Sequence, residues 1–251
     1  MNVVSGNTLT SRSDERMADS APNAALLASL GRLVRGLSAL FWGLPVALVL
    51  AVQTVKGEWL KPLGFAPTIV AMGLLLYGTW LMASFQRQER VWIKAVERAR
   101  LIALVNLGLS PFLFFWSKVS GHPFFAIIVQ VLILSSMLFV YLLNSLLARL
   151  AAMLPDETLR AEARLFTRLN QIILLIIMPA LPMYIIVRSI SPLPRFIVEL
   201  LLLIERRSTV FEFALLLCFI LLPLAMTMAL LWKTKEVILS GIFSSVDEHR
   251  S

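Results

Sequence analysis

The sequence predicts an all-α fold, a polytopic helical membrane bundle, and three observations carry that expectation. Fifty-nine percent of its 251 residues are hydrophobic and mean hydropathy is +0.83, where an ordinary soluble domain is ~45–50% apolar. Six apolar stretches, 37–55, 66–85, 101–117, 123–147, 169–187 and 211–232, are near or above the ~17–20 residues that cross a ~30 Å hydrocarbon core as a helix. Lys and Arg alternate between the connecting segments. The N-terminal, second, fourth and C-terminal segments hold 16 of the 23, and the other three hold 7. A positive excess marks the cytoplasmic side. The expected topology is six transmembrane helices arranged as three hairpins, both termini cytoplasmic, in a bacterial cytoplasmic membrane. A single bundle, 23–239, leaves short cytoplasmic tails at 1–22 and 240–251, with no room for a second sizeable domain.

Residues 1–22 are polar, lack the apolar core of a signal peptide and are expected to be disordered. Asn23 suits a helix cap. Leu26, Leu27, Leu30, Leu33, Val34 and Leu37 form a helical stripe beyond it. That stripe either lies on the inner membrane surface or simply extends span 1. The inner loop 86–100 keeps helical spacing and sets Arg90, Lys94 and Arg98 four apart. Span 3 carries Asn106 and Ser110 on one face, just before Pro111, which lacks an N–H and clashes with the carbonyl of Leu107. Span 4 is overlong. From residue 123 to 150 a helix measures ~42 Å at 1.5 Å per residue, so its inner end is expected to project from the bilayer. Pro155-Asp156-Glu157 is a helix-start signal, and it precedes a second ladder, Arg160, Arg164 and Arg168. The outer segment 189–208 suits an interfacial or re-entrant helix. Ala225 and Ala229 give span 6 a small-residue face for helix packing.

Both ladders invite a counter-surface, because like charges four apart on a helix repel. Phosphate headgroups or an acidic partner would satisfy them. The net charge of +8 is not a nucleic-acid signal, since the charges flank spans, where each basic residue is drawn to anionic headgroups by ~1 kcal/mol. The expected partners are therefore anionic lipids of the bilayer and another membrane or peripheral protein, with no nucleic acid.

Enzymatic chemistry finds little purchase. Asp14, Asp19, Asp156 and Asp247 all lie outside the spans, and Glu212 is the single acid inside one, near its outer end. His122 and His249 are far apart in sequence, and Cys218 is the only cysteine. No metal-binding spacing, paired carboxylate or phosphate loop occurs, so no enzyme activity, metal or cofactor is expected. The main polar groups at membrane depth are Asn106, Ser110 and Glu212, the three candidates for an intramembrane role, with Tyr77, Gln130, Ser135, Ser136, Tyr141, Asn144, Asn170, Gln171, Tyr184 and Thr227. Two functions fit: a non-enzymatic subunit or scaffold that binds through its basic cytoplasmic helices, or a small carrier or channel for a lipid or solute that uses the proline-kinked spans.

Overall fold

The computed structural model describes the backbone of residues 7–57, 61–85, 89–119, 122–154, 156–189 and 209–248, and side chains over 28–57, 62–85, 89–119, 122–154, 156–179 and 221–240. The described residues form helices and no strand. They are α1 (Asn7–Lys56), α2 (Ala66–Met82), α3 (Arg90–Leu109), α4 (Pro111–Lys118), α5 (Pro123–Met153), α6 (Glu157–Ser189) and α7 (Thr209–Glu248), with one 3-10 turn at Lys61–Leu63. Three helices are long and apolar enough to cross a membrane: Ala28–Lys56 of α1, the joined α3 and α4 (Arg90–Lys118), and α5. They have 29, 29 and 31 residues, whereas ~20 suffice to span. Helix α2 is apolar but shorter, at 17 residues. The stretches 169–187 and 211–232 fall within α6 and α7, whose side chains are described only in part. Residues 7–22, expected to be disordered, are helical in backbone as the first turns of α1, their side chains lying outside those described, and residues 190–208 lie outside the described residues.

Helix α1 packs along α2, α2 on α3, α3 on α5 and α5 on α6, while α7 touches α1, α5 and α6 and closes the bundle. The α1–α2 crossing is close because glycines line it. A Cβ on Gly36 would stand 2.9 Å from the carbonyl oxygen of Gly78, and one on Gly78 would stand 2.8 Å from Leu40 Cγ. A Cβ on Gly43 would meet Leu75 Cδ2 at 2.8 Å. Small residues let helix backbones approach inside a membrane, where packing rather than water drives association.

The core gathers at the charged ends of the helices. Leu33, Leu37 and Leu40 of α1, Trp92 and Val96 of α3, Leu143, Leu146, Leu147 and Leu150 of α5, Leu159 of α6 and Ile238 of α7 are buried in one cluster. The C-terminal end of α5 is thereby covered. The helices expected at the membrane surface turn out to be the opening turns of long ones: α1 is unbroken through residue 37, α3 begins at Arg90 and α6 at Glu157. Burying a large apolar side chain from water is worth ~1.5–3 kcal/mol, so Leu33, Leu37, Trp92 and Val96 gain more inside the bundle than at headgroup level. Ala225 and Ala229 are both exposed, so no described residue of this chain covers their small-residue face. At the opposite end a smaller cluster, Leu113, Val129 and Leu132, lies near the rings of Phe112, Phe115 and Phe125, whose centroids are 6.2–6.5 Å apart.

Candidate functional site

The basic faces come first, since they are the most ordered charge pattern in the chain. Trp92, Val96 and Ala99 turn one side of α3 into the core, which leaves Arg90, Lys94 and Arg98 exposed on the other. The second ladder divides. Arg160 is half-buried and its Nη2 donates to the carbonyl of Leu154 at 3.1 Å, tying down the turn between α5 and α6. Its Nε is buried without a partner. Arg164 and Arg168 are exposed, and Arg164 Nε donates to the Arg160 carbonyl at 3.3 Å. Among the described residues, Arg90, Lys94, Arg98, Arg164 and Arg168 have no acidic partner. On α6, Glu162 beside the second ladder is held by Lys233 of α7 instead. Both ladder helices pack on α5, whose own Arg149 reaches α3 and donates from Nη1 to the Val91 carbonyl at 3.1 Å.

Asp156 caps α6. Its Oδ1 accepts from the Thr158 hydroxyl at 2.7 Å and from the amides of Thr158 and Leu159 at 2.9 and 3.2 Å. These bonds, the Thr158 hydroxyl foremost, hold its carboxyl below the usual aspartate range.

Asn106 and Ser110 are brought together as their spacing implies, both at most 2% exposed. Ser110 Oγ donates to the carbonyl of Leu107 at 2.8 Å. That is the carbonyl Pro111 cannot serve, so the serine repairs the break between α3 and α4. Asn106 Oδ1 is buried with no partner. Glu212 lies in α7, and its side chain is outside those described.

The most elaborate arrangement joins α5, α6 and α7. Thr227 Oγ1 donates to the Pro223 carbonyl at 2.7 Å and accepts from Asn144 Nδ2 at 2.8 Å and Asn170 Nδ2 at 3.0 Å. A hydroxyl has one proton and two lone pairs, so this oxygen is saturated. Its proton being spent, both asparagines must present nitrogen to it, which fixes their amide orientation. Asn144 Nδ2 also reaches the Val140 carbonyl at 2.8 Å, and Asn170 Nδ2 the Pro223 carbonyl at 3.1 Å. Thr167 Oγ1 lies 3.3 Å from the Asn144 carbonyl oxygen. Gln171 Nε2 donates to Ser145 Oγ at 2.7 Å nearby. The two amide oxygens, Asn144 Oδ1 and Asn170 Oδ1, are buried without partners. Sequence reasoning placed Asn144, Asn170, Gln171 and Thr227 at membrane depth without bringing them together, and did not single out Ser145 or Thr167. The one local signal is Thr227 standing four residues after Pro223, one helical turn on.

Among the described residues no three His, Cys, Asp or Glu side chains converge as metal ligands would. No protein family, curated protein or solved structure matches the chain.

Proposed function

We propose that this chain is a non-enzymatic subunit of a membrane complex, six spans with both termini in the cytoplasm of a bacterium, that grips an acidic partner protein through α3 and α6. One observation carries the proposal: five cations stand exposed on two helices that flank the charged end of α5, with no acidic partner among the described residues. A solvated face needs no regular spacing, and a phosphate surface needs only positive charge. An array dominated by arginine, four residues apart on the buttressed side of a core, suits carboxylates, because the guanidinium fork binds them in a bidentate manner that lysine lacks.

The second reading, a small carrier or channel, draws on buried amides beside Pro111 and Pro223. Against it, every described amide nitrogen of the α5–α6–α7 node is spent on fixed helix atoms or on Thr227. Such bonding suits helices that stay together better than a pathway that opens.

The test replaces Arg90, Arg98, Arg164 and Arg168 by Lys and leaves Arg160, which holds its turn, in place. Complexes are recovered from native membranes in mild detergent at ~0.15 M salt, where exposed charges are already screened beyond ~8 Å. A carboxylate-gripping surface loses about tenfold of its partner, equivalent to ~1.4 kcal/mol. Unchanged recovery leaves the ladders as ordinary positive-inside charge and removes the support for a partner.

A further inference from the structure

A groove runs between α2 and α3, separate from both ladders. Its volume is about 600 Å³, and it is lined by Gly73, Tyr77 and Trp80 on α2 and by Glu97, Arg100 and Leu104 on α3, among others. The two helices are antiparallel neighbours in a hairpin, so its ends differ in chemistry. Toward the connection stand Trp80, Glu97 and Arg100; one to two turns deeper stand Gly73 and Leu104. The charged residues of α3 stop at Arg100, and from Leu101 onward the helix is uncharged, with Asn106 its one polar side chain. That step from charged to uncharged residues is where a hydrocarbon boundary on α3 would fall, and the groove straddles it.

Glu97 and Arg100 are both exposed. Neither has a counter-ion among the described residues. Tyr77 and Trp80 are exposed beside them, at 49% and 61%. An acid, a base and two aromatic rings at headgroup depth, above an apolar cleft, match one kind of ligand. We propose that this groove seats a single zwitterionic phospholipid of the phosphoethanolamine type. Arg100 binds the phosphate, and Glu97 with the rings of Tyr77 and Trp80 binds the ammonium, a cation that aromatic faces attract. The upper acyl chain lies against Leu104 in the space that Gly73 leaves open. The volume falls within the ~300–1,000 Å³ of small-molecule sites; it takes headgroup, glycerol and the first methylenes, and the rest of each chain stays in the bilayer. Phosphatidylglycerol presents the same phosphate to Arg100 but offers Glu97 and the aromatic rings only neutral hydroxyls in place of the ammonium, so it loses the charge pairing and the cation–π attraction. This site stands whether or not the chain is a subunit of a complex.

The experiment uses the full chain, delipidated in mild detergent and titrated separately with palmitoyl-oleoyl phosphatidylethanolamine and phosphatidylglycerol, with bound lipid counted by native mass spectrometry. One phosphatidylethanolamine per chain binds saturably and about tenfold more tightly than phosphatidylglycerol, a difference of ~1.4 kcal/mol. Glu97→Gln abolishes that preference by weakening phosphatidylethanolamine only, and Arg100→Ala weakens both lipids. Gly73→Leu fills the groove and removes the saturable lipid; a Cβ at Gly73 meets no atom within 4 Å, so the backbone tolerates the change. Should that variant melt early, the exposed Glu97→Gln decides alone. Equal affinity for the two lipids in the wild type, or a preference that survives Glu97→Gln, overturns the proposal.

Discussion

Thr227 shows how much one hydroxyl can organise. It is fully buried, and three helices meet at its oxygen. Thr227→Val keeps the shape and removes both the donor and the acceptor. Each asparagine nitrogen retains one carbonyl, Val140 for Asn144 and Pro223 for Asn170, so neither is stranded. Interhelical polar bonds of this type average ~0.6 kcal/mol with a maximum near ~1.7. The expected loss is therefore about 1 kcal/mol, read as a lowered midpoint of thermal unfolding in detergent, and Thr227→Ser restores it. A drop several times larger would mean that the asparagines depend on Thr227 alone. Residues of this node were legible as polar groups in apolar stretches. Their convergence was not, because 83 residues separate Asn144 from Thr227 and 57 separate Asn170 from it. By contrast, the Ser110 repair of the Leu107 carbonyl is local, and the sequence showed the serine, the proline and the freed carbonyl within one turn.

Among the elements, the α1–α2 pair is set by Gly36 and Gly78. Gly36→Ala pushes a methyl to 2.9 Å from a backbone oxygen, which cannot rotate away, and overpacking of this kind costs ~1–3 kcal/mol. Gly73→Ala, on the open side of α2, serves as the control and is neutral. Equal melting of the two variants would show that the helices part easily. Helix α6 depends on its start. Asp156→Ala frays the first turn, whereas Asp156→Asn keeps an acceptor oxygen. Because the folded carboxyl is held below its unfolded value, the carboxylate's contribution is complete above the unfolded value of ~4 and is lost as pH falls through the folded one. Amide exchange at Thr158 and Leu159 should accelerate only in that acid window, and the Asn variant should show no such step. Helix identity along α3 and α6 was readable from period and capping. Whether their opening turns lie on a membrane or inside a bundle was not, since Trp92 and Val96 have the same spacing in either place. The deciding fact is the C-terminal end of α5, which packs over them from ~50 residues away, a distance no periodicity encodes.

At the scale of the whole molecule, the arginine and lysine asymmetry makes a topological prediction. Reporter fusions after residues 95, 160 and 245 should read cytoplasmic, and fusions near 60, 120 and 200 external, following the 16 against 7 division of basic residues. A cytoplasmic reading at 160 with an external one at 245 would add a crossing between 189 and 208. The bundle also has an order in time. Chains emerge from the ribosome N-terminus first, and Asn144 and Asn170 enter before Thr227 has been made. Until α7 arrives, two carboxamides sit among lipid or loosely joined helices without the oxygen that both will share. A chain interrupted before residue 227 carries that defect permanently. It leaves Asn144 with the Val140 carbonyl of its own helix as its remaining acceptor and Asn170 without either of its α7 acceptors, Pro223 and Thr227, so the last helix is the keystone of the polar node.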